Sequence, residues 1–115
     1  MSAPRPPLRG DLYWVVLDPV IGSEIRKTRP AIIVSNNAMN RAGTRVIVVP
    51  VTSRITGELY PGEVPLRAGG KNARALSDQI RAIDRRRLRN RIGRIAPADM
   101  TALGDALGLS LALPH

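Results

Sequence analysis

The side chains that could do chemistry in this 115-residue chain are mostly arginines. Lysine and arginine together number 18 against nine acidic residues, and all but two of the 18 are arginine. A guanidinium is a planar group whose N–H fork matches a phosphate better than the ammonium of lysine does. This excess predicts a nucleic acid or an acidic protein as the partner, and a basic but inert surface is the alternative.

Several reaction classes lack the side chains that they require. Cysteine is absent, which excludes a thiolate nucleophile, a disulfide framework and a cysteine-based zinc site. The acidic residues show no metal-ligand spacing, and the only histidine is His115, where a frayed terminus is poorly suited to proton transfer. Cleavage chemistry would therefore use arginine, hydroxyl, carboxylate or backbone amide groups, and we expect no metal and no cofactor.

Short strands are expected to position these groups. Apolar runs rich in β-branched residues predict strands at 12–17, 31–34 and 45–51, and Pro50 is expected to confine the third to an edge or a bulge. Further strands are predicted at 63–66, 73–83 and 92–95, with a turn at 67–72 and one or two helical turns within 84–91. Residues 20–29 have no periodicity and predict an exposed loop, the kind of segment that often carries function.

The two ends of the chain differ in character. Residues 1–9 are rich in proline and are expected to form a flexible arm before a single domain at 10–115. Pro97 fits the first position of a C-terminal helix, which Gly104 and Gly108 weaken by about 1 kcal/mol each relative to alanine. This helix therefore needs tertiary or subunit contacts. Its apolar stripe is Met100, Leu103, Leu107 and Leu111.

No part of the sequence has the character of a targeting or membrane segment. The first residues contain no apolar region of the signal-peptide type, and no run approaches the roughly 18 apolar residues of a membrane span. We expect a cytoplasmic protein without membrane contact.

Six short stretches, taken together in this order and spacing, resemble the MazF/PemK family. They read RGDLYW at 9–14, GSE at 22–24, RPA at 29–31, VPVTS at 49–53, DQIR at 78–81 and IG at 92–93. The resemblance covers about residues 9–113. It implies a mainly β fold, a small, partly open β-barrel of the MazF/CcdB type with a C-terminal helix. It also implies the toxin of a toxin–antitoxin system, a homodimeric endoribonuclease that cleaves single-stranded RNA at short sequences without a metal and so inhibits translation and growth.

At the matching positions, the resemblance implies Arg29 and Thr52 as the catalytic pair, with Glu24 as a supporting residue in the neighbouring loop. Attack by an RNA 2′-hydroxyl builds negative charge around phosphorus, which a fixed guanidinium beside a hydroxyl donor would stabilise. Guanidinium groups stay protonated near neutral pH, so we assign Arg29 to phosphate stabilisation and leaving-group protonation and leave the base unassigned. The structural alternatives are a solvated loop arginine and a strand-end threonine that binds a local backbone group.

Residues that bind RNA are expected in the same loops. Basic side chains would contact phosphates, and amide or carboxylate groups would read the edges of unpaired bases. The expected set is Ser23, Arg26, Lys27, Asn36, Ser53, Arg54, Asp78 and Gln79. Asn36 could instead form a cap, and Asp78 could pair with Arg81. The resemblance implies that the arginines at 85–94 lie away from the catalytic pair, and we expect them to form a solvated face, a docking patch or an RNA contact.

The expected partners are single-stranded RNA and a cognate antitoxin with a disordered acidic segment, and DNA binding is expected only through the antitoxin. Two rival function classes fit the same size and charge. One is a non-catalytic nucleic-acid-binding module, which would bind without turnover. The other is a gyrase-inhibiting toxin of the CcdB type, whose members engage gyrase through an aromatic-containing tail, whereas this chain ends in LALPH.

Overall fold

The computed structural model describes residues 5–17, 28–55 and 57–114. The strands in these ranges are β1 (Asp11–Val16), β2 (Thr28–Ile33), β3 (Arg45–Thr52), β4 (Glu63–Ala68), β5 (Lys71–Leu76), β6 (Arg81–Asp84) and β7 (Leu88–Arg94). The helices are α1 (Asn37–Ala42) and α2 (Pro97–Ser110), and 3₁₀ turns are formed by Ser77–Gln79 and Arg85–Arg87. No helix in the described ranges is long and apolar enough to cross a membrane.

All seven strands pair antiparallel in one curled sheet with the order β4-β5-β3-β2-β1-β7, and β6 also pairs with β3. β3 is the central strand, with β2 along one side. On its other side, residues 45–48 pair with β6, whereas Val51 and Thr52 pair with β5. This change of partner allows the sheet to fold over itself, and the result is the half-barrel with a C-terminal helix that the resemblance implied.

Pro50 lies where β3 changes its partner. It is opposite Ala31 of β2, and neither the β5 ladder nor the β6 ladder includes it. Proline lacks an N–H group and therefore fits a break in a hydrogen-bonded ladder. The prediction of an edge or bulge position was wrong, because β3 is interior and Pro50 occupies the interval between two ladders.

The turn between β4 and β5 is tighter than predicted. Ala68 pairs with Lys71, so that only Gly69 and Gly70 connect the strands. Their φ angles are 60° and 80°, in the left-handed region that two-residue hairpins require and that glycine adopts without strain. The flanking residues of the predicted turn at 67–72 belong to the ladder instead.

Other predicted boundaries also need correction. The strand predicted at 73–83 is interrupted by the 3₁₀ turn Ser77–Gln79, whose first N–H donates to the Gly62 carbonyl at 2.9 Å. Within 84–91 one helical turn forms, in agreement with the prediction of one or two, but β7 starts at Leu88, earlier than the strand predicted at 92–95. Thr28 and Arg29, expected in a loop, begin β2 because they pair with Val16 and Val15 of β1.

The strand alternation divides the core into two apolar clusters. One contains Leu12 and Ile32, and α2 covers it with the buried side chains of Leu103 and Leu107. The other contains Val15, Ala31 and Ile33, which point the opposite way along the same strands. Burying each leucine of α2 contributes about 1.5–3 kcal/mol, which offsets the weak helix propensity of its glycines.

The predicted stripe of α2 extends one residue too far. Met100 is partly buried against the first cluster, but Leu111 follows the helix as its C-cap and is exposed. Pro97 takes the first helical position, as predicted. The helix therefore packs through Met100, Leu103 and Leu107, and its last leucines face outward.

Residues 5–10 lie against the sheet. The N–H group of Arg9 donates to the Asn37 side chain at 2.8 Å, and its guanidinium donates to the carbonyl of Val34. Pro7 is buried, and the Leu8 N–H group donates to the carboxylate of Asp11 at 2.9 Å. These contacts attach the segment before β1 to the start of α1.

Candidate active site

Arg29 and Thr52 lie near the adjacent ends of β2 and β3. The ladder between these strands ends at the pair Ala31 and Pro50, so Arg29 and Thr52 each lie two residues beyond its last pair. Both residues line one cavity of about 390 Å³. The structure therefore unites the two residues that the resemblance implied as a catalytic pair.

This cavity, called here the Thr52 cavity, is apolar except for two cations and two hydroxyl groups. The polar residues are Arg29, Thr52, Ser53 and Lys71. The remaining lining residues are Leu12, Trp14, Pro30, Val51, Ala68, Gly69, Ala73 and Ile92. Within the described part of the chain no acidic side chain lines the cavity, so its electrostatic character favours an anion.

The hydroxyl group of Thr52 has a defined hydrogen-bonding role. Its oxygen accepts the backbone N–H of Arg54 at 3.1 Å, in a turn just after β3 ends. This contact is the local backbone bond foreseen as the structural alternative. Because the oxygen acts as an acceptor there, the hydroxyl proton is left available for donation to a ligand. The structural contact and a catalytic donor role are therefore compatible.

Arg29 lies between two cavities. The second, called here the Gln79 cavity, also measures about 390 Å³ and is lined by Leu17, Arg29, Pro50, Gln79 and Arg81. Arg29 is exposed, and none of the residues in the described ranges accepts a hydrogen bond from its side chain. Two guanidinium groups, those of Arg29 and Arg81, thus line the Gln79 cavity.

Four other predicted site residues lie in or beside these cavities. Ser53 lines the Thr52 cavity, and Gln79 lines the Gln79 cavity. Arg54 is the next residue after Ser53 and is exposed. Asp78 is exposed on the adjoining 3₁₀ turn and forms no ion pair with Arg81 or any other residue in the ranges described. The alternative prediction of an Asp78–Arg81 pair is therefore wrong for the described residues.

Asn36 lies away from this group. It follows β2 at the end opposite to Arg29, and four residues of strand between Arg29 and Ile33 correspond to about 13 Å. Its side-chain oxygen accepts the N–H group of Met39 at 2.8 Å and so caps α1. The cap that was considered as an alternative is present. Ser23, Glu24, Arg26 and Lys27 lie outside the described residues.

Sequence reasoning missed three residues of the cavities: Trp14, Lys71 and Arg81. Trp14 was assigned only to a buried strand, and Lys71 only to a turn. Leu12 and Trp14 are two residues apart on β1, so their side chains lie on the same face of the sheet. The sequence does not show that this face borders a cavity. Only the curl of the sheet brings β1, β3 and β5 to one cavity.

The arginines at 85–94 contact the protein itself. Three donate to backbone carbonyls and three pair with carboxylates. The carbonyl donors are Arg85, Arg87 and Arg89, and the carboxylate partners are Arg86, Arg91 and Arg94. None of the six lines the Thr52 cavity or the Gln79 cavity. Each arginine of this segment thus makes at least one contact with the protein itself, although the side chains of Arg86, Arg91 and Arg94 remain largely exposed.

Asp11 is the main carboxylate partner of these arginines. Its side chain has 0% exposure and accepts from Arg5 at 3.1 Å and Arg91 at 3.2 Å, with Arg94 at 3.5 Å. Burial by itself raises the pKa of Asp11, but the Leu8 N–H and the arginines outweigh burial and hold that pKa below its usual value. A charged Asp11 therefore joins the segment before β1 to β7.

Among the residues that the structure describes, no three histidine, aspartate or glutamate side chains come together as a metal-binding group. The polar groups that line the two cavities are guanidinium, ammonium, hydroxyl and amide groups. These groups bind anions and hydrogen-bond acceptors, so the described site is suited to a phosphate ligand.

The chain is similar to known proteins over nearly its whole length. A family model described as a PemK-like, MazF-like toxin of type II toxin-antitoxin systems matches residues 8–111. Endoribonuclease MazF9 of Mycobacterium tuberculosis is 41% identical over 114 residues, covering 91% of this chain and 96% of that protein. Endoribonuclease EndoA of Bacillus subtilis is 35% identical over 109 residues, covering 91% and 94%. The MazE-MazF crystal structure (Form-II) from Deinococcus radiodurans gives a TM-score of 0.83 at 31% identity, covering 96% of this chain and 100% of that one.

Proposed function

The chain belongs to the PemK-like, MazF-like family of toxins of type II toxin–antitoxin systems, and from this premise we propose that its active site is formed by Arg29 and Thr52. The protein is the toxin of such a system and an endoribonuclease. The observation that supports the proposed site is that Arg29 and Thr52, each two residues beyond the last β2–β3 pair, line one cavity without described acidic residues. A phosphodiester needs cationic and hydrogen-bond-donating surroundings of this kind.

The proposed reaction uses the 2′-hydroxyl of the RNA as the nucleophile. O2′ bonds to phosphorus, the bond from phosphorus to O5′ breaks, a base takes the 2′ proton, and O5′ gains a proton. The products are a 2′,3′-cyclic phosphate and a free 5′-hydroxyl. Arg29 stabilises the charge on the phosphoryl oxygens and donates towards O5′, while the Thr52 hydroxyl donates to a phosphoryl oxygen. These groups supply the charge stabilisation themselves, so we propose that no metal takes part.

The remaining residues of the proposed site bind the strand on either side of the cut. Ser53 and Arg54 follow Thr52 and would contact phosphates, whereas Asp78 and Gln79 would read base edges and give sequence specificity. Glu24 retains the supporting role implied by the resemblance, and Ser23, Arg26 and Lys27 remain expected RNA-binding residues. We leave Asn36 out of the proposed site, because its side chain caps α1 at the far end of β2.

The decisive experiment is incubation of the purified protein with a long unstructured RNA in EDTA, followed by mapping of the new ends. Arg29→Ala and Thr52→Ala should each lower the cleavage rate about 10²- to 10³-fold, the usual effect of removing one such donor. Arg41→Ala is the matched control, because Arg41 is an exposed arginine at the end of α1. Near wild-type cutting by either site variant would refute the site. Binding without any cutting by the wild type would instead favour a non-catalytic module.

The nucleophile is tested by one change in the substrate. Deoxyribose at the nucleotide 5′ of the cut removes the 2′-hydroxyl, so the proposed reaction should stop, while deoxyribose at a distant position should have little effect. New ends should carry a 5′-hydroxyl. Undiminished cutting of the first substrate would exclude attack by the 2′-hydroxyl.

The protein acts with an antitoxin, as the MazE-MazF structures of its relatives indicate. We propose that an acidic, disordered antitoxin segment competes with RNA for the basic residues before Arg29, that DNA is bound only through the antitoxin, and that the pair acts in the cytoplasm. Charge reversal at Arg26 and Lys27 should weaken RNA and antitoxin binding in parallel. Tight antitoxin binding with loss of RNA binding would contradict this competition.

We also propose a homodimer. Leu109 in the last turn of α2 and Leu111 and Leu113 just after it remain exposed, and glycines weaken the helix. A second copy would cover such leucines, and closed two-fold pairs are the commonest protein oligomers. Sedimentation velocity should give a dimer for the wild type and a smaller species for Leu109→Ser with Leu113→Ser. A monomer at all micromolar concentrations would refute the homodimer.

A further inference from the structure

Trp14 is an exposed aromatic residue on a strand whose other residues are mostly buried. The chain has one tryptophan, two tyrosines and no phenylalanine. Trp14 is 42% exposed, although its neighbours on β1, Leu12, Val15 and Val16, are buried. An indole of this size contributes most to stability when it is covered. Its exposure within a mostly buried strand leaves an aromatic surface available to a ligand.

The position of Trp14 relates it to the catalytic pair. β1 pairs Trp14 with Pro30, which directly follows Arg29. Strand alternation places Trp14 on the face opposite to the Arg29 side chain, and the Thr52 cavity includes residues from both faces. Cα atoms of paired residues lie about 4.5–5.5 Å apart, so the backbone of Trp14 lies beside the residue that follows Arg29, and both side chains line the same cavity.

An irregularity in β7 leaves Trp14 without a partner on that side. Tyr13 pairs with Arg91 and Val15 pairs with Leu88, so the register shifts across Trp14, and a second shift occurs near Ile92. Such bulges bend a strand and increase its twist. Ile92 and Trp14 both line the Thr52 cavity. The bulged strand therefore shapes the cavity beside the indole.

The composition of the Thr52 cavity matches the two halves of a nucleotide. Its apolar side chains and the indole suit a base, while Arg29, Lys71 and two hydroxyl groups suit phosphates and sugar hydroxyls. The volume of about 390 Å³ lies in the range of roughly 300–1,000 Å³ that is usual for small-molecule sites. The cavity is thus large enough for one nucleoside.

We propose that Trp14 is the stacking platform for the base next to the scissile phosphate and that Lys71 binds the phosphate on the other side of that nucleotide. This inference rests on the proposed function, because it takes the phosphate between Arg29 and Thr52 as the one that is cut. Stacking accepts any base, so Trp14 contributes affinity and position, whereas base identity is read elsewhere.

The single tryptophan makes the proposal directly measurable by fluorescence. The probe is an RNA that carries the mapped cleavage sequence with 2′-O-methyl groups throughout, which bind but cannot be cut by 2′-hydroxyl attack. Titration into the wild type should change the Trp14 emission saturably. An emission that is insensitive to bound RNA but varies with protein concentration would overturn the proposal, since a second copy would then cover the indole.

Substitutions separate stacking from apolar packing. Trp14→Leu should weaken binding of the same RNA about 5- to 150-fold, the usual range for losing one base–aromatic contact, and should raise KM more than it lowers kcat. Trp14→Phe should restore most of the affinity. Tyr60→Leu is the control, because Tyr60 is exposed and lies outside the Thr52 cavity. Wild-type affinity and KM in a folded Trp14→Leu variant would refute the proposal.

A double comparison tests which base is stacked. Replacing the nucleotide beside the cut with an abasic one should weaken binding to the wild type but not to Trp14→Leu. Only the wild type has an indole on which the missing base would have stacked. Equal weakening of both proteins would overturn the assignment. Failure of the proposed function has a different signature, namely normal cutting by Arg29→Ala, whatever Trp14 does.

Discussion

Arginine serves two different purposes in this chain. Arg74 is buried, donates to the carbonyls of Gly57 and Glu58 and pairs with Glu63 at 3.1 Å. The arginines of 85–94 similarly contact carbonyls and carboxylates. Arg29 and Arg81, by contrast, line cavities and have no such contact in the described ranges. Residue type alone therefore does not identify the arginines that face a ligand.

At Thr52, the role of the hydroxyl can be separated from the shape of the side chain. Thr52→Ser keeps the donor and should retain most of the cleavage rate, whereas Thr52→Val keeps the shape and should lose about 10²- to 10³-fold. Single-turnover cleavage measures both. Thr101 offers the control, since its exposed hydroxyl only donates to the Pro97 carbonyl on α2. Equal rates for the valine and serine variants would show that the hydroxyl is dispensable.

Asp11 should make stability depend on pH in the acid range. Its folded pKa is lowered, so its contribution is present above the ordinary value of 3.8 and is lost as pH falls through the folded pKa. At pH 7, Asp11→Asn should reduce the free energy of unfolding by about 1–3 kcal/mol, because bonds to a buried carboxylate are lost. Below about pH 4 the difference from wild type should shrink.

Urea unfolding at several pH values measures this effect. Asp84→Asn is the comparison, because Asp84 pairs with Arg86, whose side chain is 90% exposed. The pKa of Asp84 is lowered to about 2, mainly by the hydrogen bonds that its carboxylate accepts from Arg86. Exposed pairs contribute little, so this variant should stay closer to wild type at pH 7. A larger loss for Asp84→Asn than for Asp11→Asn would contradict the assignment of Asp11 as the central ion-pair partner.

At the scale of elements, the site depends on how β3 divides its pairing. β6 takes its first half, β5 takes its last two residues, and β2 lies along the other side. The end of β3 is thus held between β2 and β5, which contribute Arg29 and Lys71. A single straight ladder along β3 would not have placed both cations beside Thr52.

Substitutions at Gly108 and Gly70 test two different effects on stability, helix propensity and turn geometry. In α2, a Cβ at Gly108 meets nothing within 4 Å, so Gly108→Ala should stabilise the protein by about 0.5–1 kcal/mol. A Cβ at Gly70 also meets nothing, but its φ of 80° is unfavourable for alanine. Gly70→Ala should therefore destabilise by about 1–2 kcal/mol. Thermal unfolding compares them, and destabilisation by Gly108→Ala would show that this position needs glycine.

At the scale of the whole molecule, the net charge of +9 overstates the surface available to RNA. Much of the positive charge of the described chain lies on arginines that bind carbonyls and carboxylates. The whole charge still attracts a polyanion at long range. Close phosphate contacts should be limited to the few cations near the two cavities.

The salt dependence of RNA binding tests this distribution. For single strands the log–log slope is about −0.7 for each phosphate contact, so Arg29→Gln should make the slope shallower by about 0.7. Arg86→Gln removes the same charge from an exposed ion pair and should leave the slope unchanged. A comparable change in the slope for Arg86→Gln would show that RNA binds the arginines of 85–94.

Local patterns were enough to determine much of this protein. Alternating or dense apolar runs predicted β1, β2 and β3, and Pro97 with the leucine spacing predicted α2. These patterns can be recognised in the sequence because the residues that form one strand or one helix face are only a few positions apart. The ordered stretches at 9–93 carried the family resemblance and, with it, the pair Arg29 and Thr52.

Only the tertiary structure decided which distant residues share a surface. Asp11 and Arg91 meet across 80 positions of sequence, and Trp14, Thr52 and Lys71 join one cavity from three strands. The tertiary structure also shows two strands with a 3₁₀ turn between them where the sequence predicted one strand at 73–83. Residue spacing along the chain sets the face on which a side chain lies, but the neighbours of that face depend on strand order, bulges and curl. These arise from the packing of the whole sheet.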